Sequence, residues 1–170
     1  GTAVYLTNQV PTTVSDTTIA NGNEGIKILN SANHVFDTVA LNNNAVGIIS
    51  EGSGSITMTD VDVTGSGTSD VEIIGASVVS FLDGTVDQSL VVVDSAATGS
   101  FSRDRSYIAE IQADGNPVAN ANVVLTSIAA ASSSAGATDA SGITSGLSFA
   151  IYDVDSSGLV DKTQHLATCL

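Results

Sequence analysis

The chain has 170 residues, 42% of them apolar but only 4% aromatic and none of them tryptophan, with a formal charge of −14 from 18 acidic side chains against four basic ones. Such a surface repels phosphate backbones and anionic membranes, which argues against nucleic acid as a partner; it suits divalent cations, salty surroundings or plain solubility. No run of 18 apolar residues is present to span a bilayer.

The first hundred residues repeat with a period of roughly 22. Short apolar strands recur at Val4–Asn8, Gly25–Asn30, Gly47–Ser50, Asp70–Ile73 and Leu90–Val93, and Val4, Ile26, Ile48, Val71 and Val91 lie 22, 22, 23 and 20 residues apart. A second column runs in step: Val14/Asp16, Val35/Asp37, Met58/Asp60 and Phe81/Asp83 place an apolar residue two before an aspartate, and Phe101/Arg103 takes the fifth place. A unit this short cannot bury an apolar face alone, so the copies must stack as a solenoid.

Alternation within each copy points Val4/Leu6, Ile26/Ile28, Val71/Ile73 and Val91/Val93 inward and Tyr5, Lys27, Ile49, Glu72 and Val92 outward. Ile19, Val39 or Leu41, Val63 and Val86 supply a third short strand per copy. Branched residues between turn formers favour strand throughout, and almost no helix is expected. Three strands per coil describe a parallel β-helix, with Asn8 and Asn30 stacked 22 residues apart at one turn.

On these columns, residues 1–105 resemble the right-handed parallel β-helix repeats of secreted and cell-surface proteins. The resemblance covers about 60% of the chain and implies about five coils. It speaks to architecture, because that fold carries lyases, hydrolases, adhesins and inert stalks alike.

Near Ser106 the period stops. Tyr107–Ile111 reads as a strand, Asp114–Val118 as a turn, Ala121–Thr126 as a strand and Ser127–Ala137 as a small-residue loop. Thr138–Gly142 follows as a turn, Leu147–Ile151 as a strand, and Gln164–Thr168 closes the series. The D-G-x-P-V-x-x-A-x-V stretch at Asp114–Val123 and T-D-x-x-G at Thr138–Gly142 make residues 106–170 resemble immunoglobulin-like, carboxypeptidase-regulatory-like β-sandwich modules. The fold class expected is all-β: a right-handed parallel β-helix followed by a small β-sandwich, short enough to lack an edge strand.

Two features invite a metal. Asp16, Asp37, Asp60 and Asp83 would stack about 4.8 Å apart at one corner, as a calcium ladder or as acceptors for turn N–H groups. Asp153, Asp155, Ser157, Leu159 (by its carbonyl) and Asp161 carry oxygen at alternate positions with Gly158 between, the spacing of a calcium loop. Gln164 stands where a bidentate glutamate belongs, and an Asp-Ser-Ser-Gly hairpin turn accounts for the same letters. Calcium is the one candidate ion, and no cofactor is required.

His34 and His165 are solitary, Cys169 is the only cysteine, and no sequon is present among eleven asparagines. Thr12/Thr13 and Thr57/Thr59 do not recur from coil to coil as an ice-binding face would require. Acid and base are not paired across a groove, which argues against catalysis. Gly1 opens the chain with neither methionine nor leader, as in a processed form or a piece of something longer. The expectation is a non-enzymatic extracellular or cell-surface protein, structural or adhesive, whose open coil ends associate with copies of itself or other surface proteins. The rival is a glycan-binding module or a fragment of a β-helix polysaccharide-active enzyme, although few aromatics are free to stack on sugars.

Overall fold

A computed structural model describes residues 1–127, 133–163 and 165–169. Contacts divide the chain into two units, Gly1–Arg103 with Asp153–Val160, and Asp104–Tyr152 with Asp161–Leu170. This division differs from a boundary at residue 105 chiefly in the segment 153–160, which groups with the first unit and carries no repeat signal.

The first unit is a β-solenoid of five coils. They are β1 (Thr2–Thr7) with β2 (Thr13–Ala20); β3 (Glu24–Leu29) with β4 (His34–Asn42); β5 (Val46–Glu51) with β6 (Ser55–Thr59) and β7 (Asp62–Thr64); β8 (Ser69–Ile74) with β9 (Val78–Leu82); and, after a 3-10 turn at Gln88–Leu90, β10 (Val91–Val93) with β11 (Ser100–Tyr107). One parallel sheet runs β1-β3-β5-β8-β10, and its register sets Val4, Ile26, Ile48, Val71 and Val91 side by side. The expected inward residues of the middle coils are buried. The outward Ile49 is only 6% exposed, lying in register between the long side chains of Lys27 and Glu72.

The second sheet corrects the sequence reading by one residue. Val14 pairs with Phe36 and Phe36 with Met58, so the core column is Val14, Phe36, Met58, Phe81, with Phe101 stacked on Phe81 at 5.3 Å between ring centroids. Val35, expected in that column, points out at 37% exposure, whereas Phe36 is fully buried. A one-residue slip moves a strand's apolar set to the opposite face, and burying the larger phenylalanine decides which register wins.

Each coil turns at left-handed backbone corners. One column is Asn8, Asn30, Gly52 and Gly75, with φ of 49°, 49°, 57° and 76°. The next is Asp16, Thr38, Asp60 and Asp83 (50°, 55°, 50° and 62°), and the third is Asn21, Asn43 and Gly65 (60°, 54° and 67°). Glycine, asparagine and aspartate tolerate this region best, which explains why the turn letters recur with the repeat. At the first corner the coils are joined through the main chain, Asn8 N to Leu29 O at 3.4 Å and Asn30 N to Glu51 O at 2.9 Å.

The second unit is built from short sheets. β12 (Gln112–Ala113) and β13 (Asn116–Pro117) form a hairpin through Asp114 and Gly115, both at positive φ as a primed two-residue turn requires. β14 (Asn122–Ser127) pairs antiparallel with β15 (Ser133–Ala137) on one side. The chain continues through β16 (Leu147–Asp155), β17 (Gly158–Asp161) and β18 (His165–Cys169), and β18 takes the other side of β14. The stretch Ser127–Ala137 is therefore not wholly a loop: its last five residues are strand, and residues 128–132 lie outside the described residues. Val123, Leu125, Leu147 and Phe149 form this unit's core, with Tyr107, Ala109 and Ile111 against it. Within the first unit the second sheet continues past β11 through Asp153–Asp155 of β16 and on to β17.

Candidate functional site

The aspartate corner does not form the expected ladder. The register sets Asp37 opposite Ser15 and Thr59, one residue ahead of the corner, and puts Thr38 between Asp16 and Asp60. Asp16, Thr38, Asp60 and Asp62 instead line a shallow groove of about 380 Å³. A neutral threonine separates the first two carboxylates by two coil spacings, about 9.6 Å, which reduces their repulsion. In the fifth place Arg103 Nη2 donates to the carbonyl of Gly84 at 2.8 Å.

The residues of the proposed calcium loop fall on a β-hairpin. β16 ends at Asp155 and β17 begins at Gly158, leaving Ser156 and Ser157 as the turn. Asp155 Oδ1 accepts from the N–H and hydroxyl of Ser157 at 2.7 and 2.5 Å, and Asp161 Oδ1 accepts from Thr163 N at 2.9 Å. These bonds lower both carboxyl pKa values, led by the Ser157 hydroxyl at Asp155 and by the Thr163 N–H at Asp161. Asp153 and Leu159 lie on the two strands, and Gln164 is outside the described residues. Among the described residues no three His, Cys, Asp or Glu side chains converge as metal ligands.

His34 is fully buried beside Ser31. Its Nε2 lies 2.6 Å from Ser31 Oγ, a spacing that suggests a nucleophile and its base. The other ring nitrogen rules that role out. Thr12 N donates to Nδ1 at 3.2 Å, so the neutral ring carries its proton on Nε2 and donates to the serine. Ser31 Oγ in turn donates to Gln9 O at 3.2 Å and accepts from Gln9 N at 3.1 Å. Burial lowers the His34 pKa, keeping the ring in the neutral state this network needs. The side chain of His165 lies outside the described residues.

The network belongs to a column the sequence reading missed. Ser31, Ser53 and Ser77, spaced 22 and 24 apart, are all buried. Ser53 N donates to Ser77 Oγ at 3.0 Å as Gln9 N does to Ser31. Asn44, 2% exposed, likewise joins coils: its Oδ1 accepts from Gly22 N at 2.9 Å and its Nδ2 donates to Ile19 O at 3.2 Å. The signal was available, since serines recur with the coil period, but a serine near a turn reads equally well as exposed.

Outward on the first sheet, Lys27 lies 3.9 Å from both Glu24 and Glu51, and Thr2 Oγ1 donates to Glu24. In the neighbouring face Thr13, Val35, Thr57 and Ser80 share a register, so threonines do not align from coil to coil. Cys169 is an exposed free thiol. No described helix is long and apolar enough to cross a membrane. The fold thus defines a β-solenoid with a second small β unit, in which buried polar side chains join coil to coil. Comparison with known families, curated proteins and solved structures found no match.

Proposed function

We propose that this chain is a non-enzymatic structural or adhesive protein of an extracellular or cell-surface assembly, joined to its neighbours by strand pairing at the ends of the solenoid. The observation carrying this reading is where apolar surface is left in the first unit. Its most exposed large apolar residues are Tyr5 (51%), Val10 (77%), Val92 (49%), Leu159 and Val160 (both 47%), all in the first coil, on β10 or on β17. β1, β2, β10 and β17 each have one strand neighbour in the sheet order, so each presents a row of backbone donors and acceptors. The two ends differ, and joining unlike ends is a heterologous contact that propagates as an open filament.

The sandwich-like second unit, with its three-stranded antiparallel sheet over Val123, Leu125, Leu147 and Phe149, is read as an immunoglobulin-like module. Neither a cofactor nor calcium is needed, because the hairpin carboxylates are already engaged by their own turns. Partners are copies of this chain or other surface proteins. Negative-stain electron microscopy and sedimentation, each with calcium and with chelator, test the proposal. The expected result is filaments or longitudinal oligomers in both buffers, abolished by Tyr5→Lys with Val160→Lys. Monomers at high concentration, with β1 amides protected from hydrogen exchange, would overturn it.

A further inference from the structure

The two ends of the solenoid are finished differently. At the N-terminal end β1 and β2 belong to one coil and are the outermost strands of their sheets, so this end is level. Its core is open: Val4, Leu6 and Val14 are half-buried, whereas their register partners Ile26, Ile28 and Phe36 are fully buried. At the other end the sheets stop at different levels. The first sheet ends with β10, whereas the second runs two strands past β11, through Asp153–Asp155 of β16 and then β17. The segment Asp153–Val160 groups with the solenoid, its Val154 is 8% exposed, and Phe101 on β11 is fully buried although its coil is the last. The segment therefore seals the second sheet and leaves β10 bare, with Val92 49% exposed.

The step between the sheets is two strand spacings, about 9.6 Å. A level end cannot meet it on both sheets at once. With the segment in place, β2 of a second copy reaches β17 only while its β1 stays clear of β10. With the segment moved aside, the first coil of a second copy continues every column of the repeat. Val4 then lands beside Val91, Tyr5 beside Val92 and Val14 beside Phe101, so the apolar surface left at both ends is covered. The corner column continues as well. It runs Asp16, Thr38, Asp60, Asp83 and ends at Arg103, so the next member is the second copy's Asp16, about 4.8 Å from a cation. A chain of net charge −14 thus has an attractive pair at this joint. Length favours the exchange too: β2 has eight residues, and only Asp153–Asp155 of β16 belongs to the solenoid.

We infer, resting on the end-to-end pairing proposed above, that Asp153–Val160 is a displaceable cap. It holds the edge of β11 on which the first coil of a second copy docks, and assembly replaces it by that coil. The partner is another copy of this chain, and the cap keeps copies from joining on both sheets until it moves.

The test follows assembly of the whole chain by sedimentation and light scattering, and compares hydrogen exchange in assembled and unassembled protein. Assembly should open the amides of residues 153–160 to exchange while protecting those of residues 2–7 and 13–20. Val154→Ala, which weakens the cap alone, should lower the critical concentration by about tenfold, the scale of two buried methyl groups. Val160→Lys, on the outer edge of β17, should leave it unchanged. Asp16→Asn, which keeps a residue suited to the left-handed corner, should raise it about threefold through loss of the Arg103 pair. A lower value for Asp16→Asn, as simple relief of charge repulsion gives, would overturn the flush joint. Assembly with residues 153–160 still protected, or assembly blocked by Val160→Lys alone, puts the joint on β17: end-to-end pairing then stands and the cap is refuted. No assembly from wild type and Val154→Ala alike would overturn both.

Discussion

Thr38 offers the sharpest test of how the coils are held. It is exposed, so a substitution removes no packing, yet it sits at φ 55° in a column whose other members are aspartates. A β-branched residue in left-handed conformation is strained by about 1–2 kcal/mol, and asparagine relieves most of that. Thr38→Asn should therefore stabilise the protein by about 1 kcal/mol. Thr38→Gly should gain less, because glycine's extra unfolded-state freedom returns about 0.5–1 kcal/mol. Thr38→Asp relieves the same strain but sets a carboxylate about 4.8 Å from both Asp16 and Asp60. Each such pair repels by about 0.9 kcal/mol in water before screening. The two repulsions, about 1.8 kcal/mol together, outweigh the gain at low salt, and salt should restore much of it. Thermal unfolding followed by circular dichroism at low and high ionic strength reads the series, at roughly 2–4 °C per kcal/mol for a chain of this size. The expected order at low salt is Asn, Gly, wild type, then Asp, with only the Asp variant rising relative to wild type as salt is added. If Thr38→Asn melts no higher than wild type in either buffer, the left-handed corner is not the source of strain and the reasoning fails.

The register of coil two is checked by a pair of truncations: Phe36→Ala should lose about 3–5 kcal/mol in denaturant unfolding and Val35→Ala less than about 1, and the reverse order would return Val35 to the core. Gly84→Ala would set a Cβ 2.1 Å from Val61 O; the variant should lose more than 2 kcal/mol, on the order of the largest backbone-driven effects, and an unchanged melting temperature would contradict this packing. His34 carries a pH signature. Its folded pKa is depressed by burial, so the unfolded chain binds the extra proton first. Stability is therefore full above the unfolded value of about 6.5 and declines as pH falls below it. The hairpin carboxylates Asp155 and Asp161, depressed by their turn hydrogen bonds, lose their contribution only at more acidic pH, below the ordinary carboxylate range. Urea midpoints between pH 8 and 5 should fall in wild type and stay flat in a folded His34→Gln variant; parallel slopes would show that His34 is not the titrating group.

The period of the strands, the all-β class and the alternation of inward residues were legible because each is a local pattern repeated five times. The slip at Val35 shows where such reading goes astray. Matching Asp37 to the other aspartates gave spacings of 21 and 23, whereas Val14, Phe36 and Met58 are 22 and 22 apart and place the largest apolar side chain inside. Trusting the period over the identity of the corner residue would have found both Phe36 and Thr38. The return of residues 153–160 to the solenoid was not legible, since it depends on pairing across some fifty residues with no repeat to announce it. The buried serines and Asn44 were hidden for a different reason. Their polarity argues for the surface unless the N–H they satisfy in the next coil is known.

These hidden residues also indicate where chemistry can arise on a solenoid. A repeat in which every coil copies the last has its polar groups matched from coil to coil, and it leaves no donor or acceptor over for a ligand. Where Ser66 replaces the asparagine and the strand above β7 gives way to a 3-10 turn, the match fails, and Asp70 Oδ1 and Ser66 Oγ have no hydrogen-bond partner among the described residues. At His34, by contrast, the ring inserted between coils has Thr12 N and Ser31 Oγ on its two nitrogens, and nothing remains to react. Breaks in the repeat that leave polar groups unmatched are thus the places to look for binding, and breaks that match them are structural. Ser66→Asn puts this to work directly. Restoring the asparagine should raise the melting temperature by re-forming the bridge that Asn44 makes to the preceding coil, and a variant that melts no higher than wild type would show that this corner is already matched.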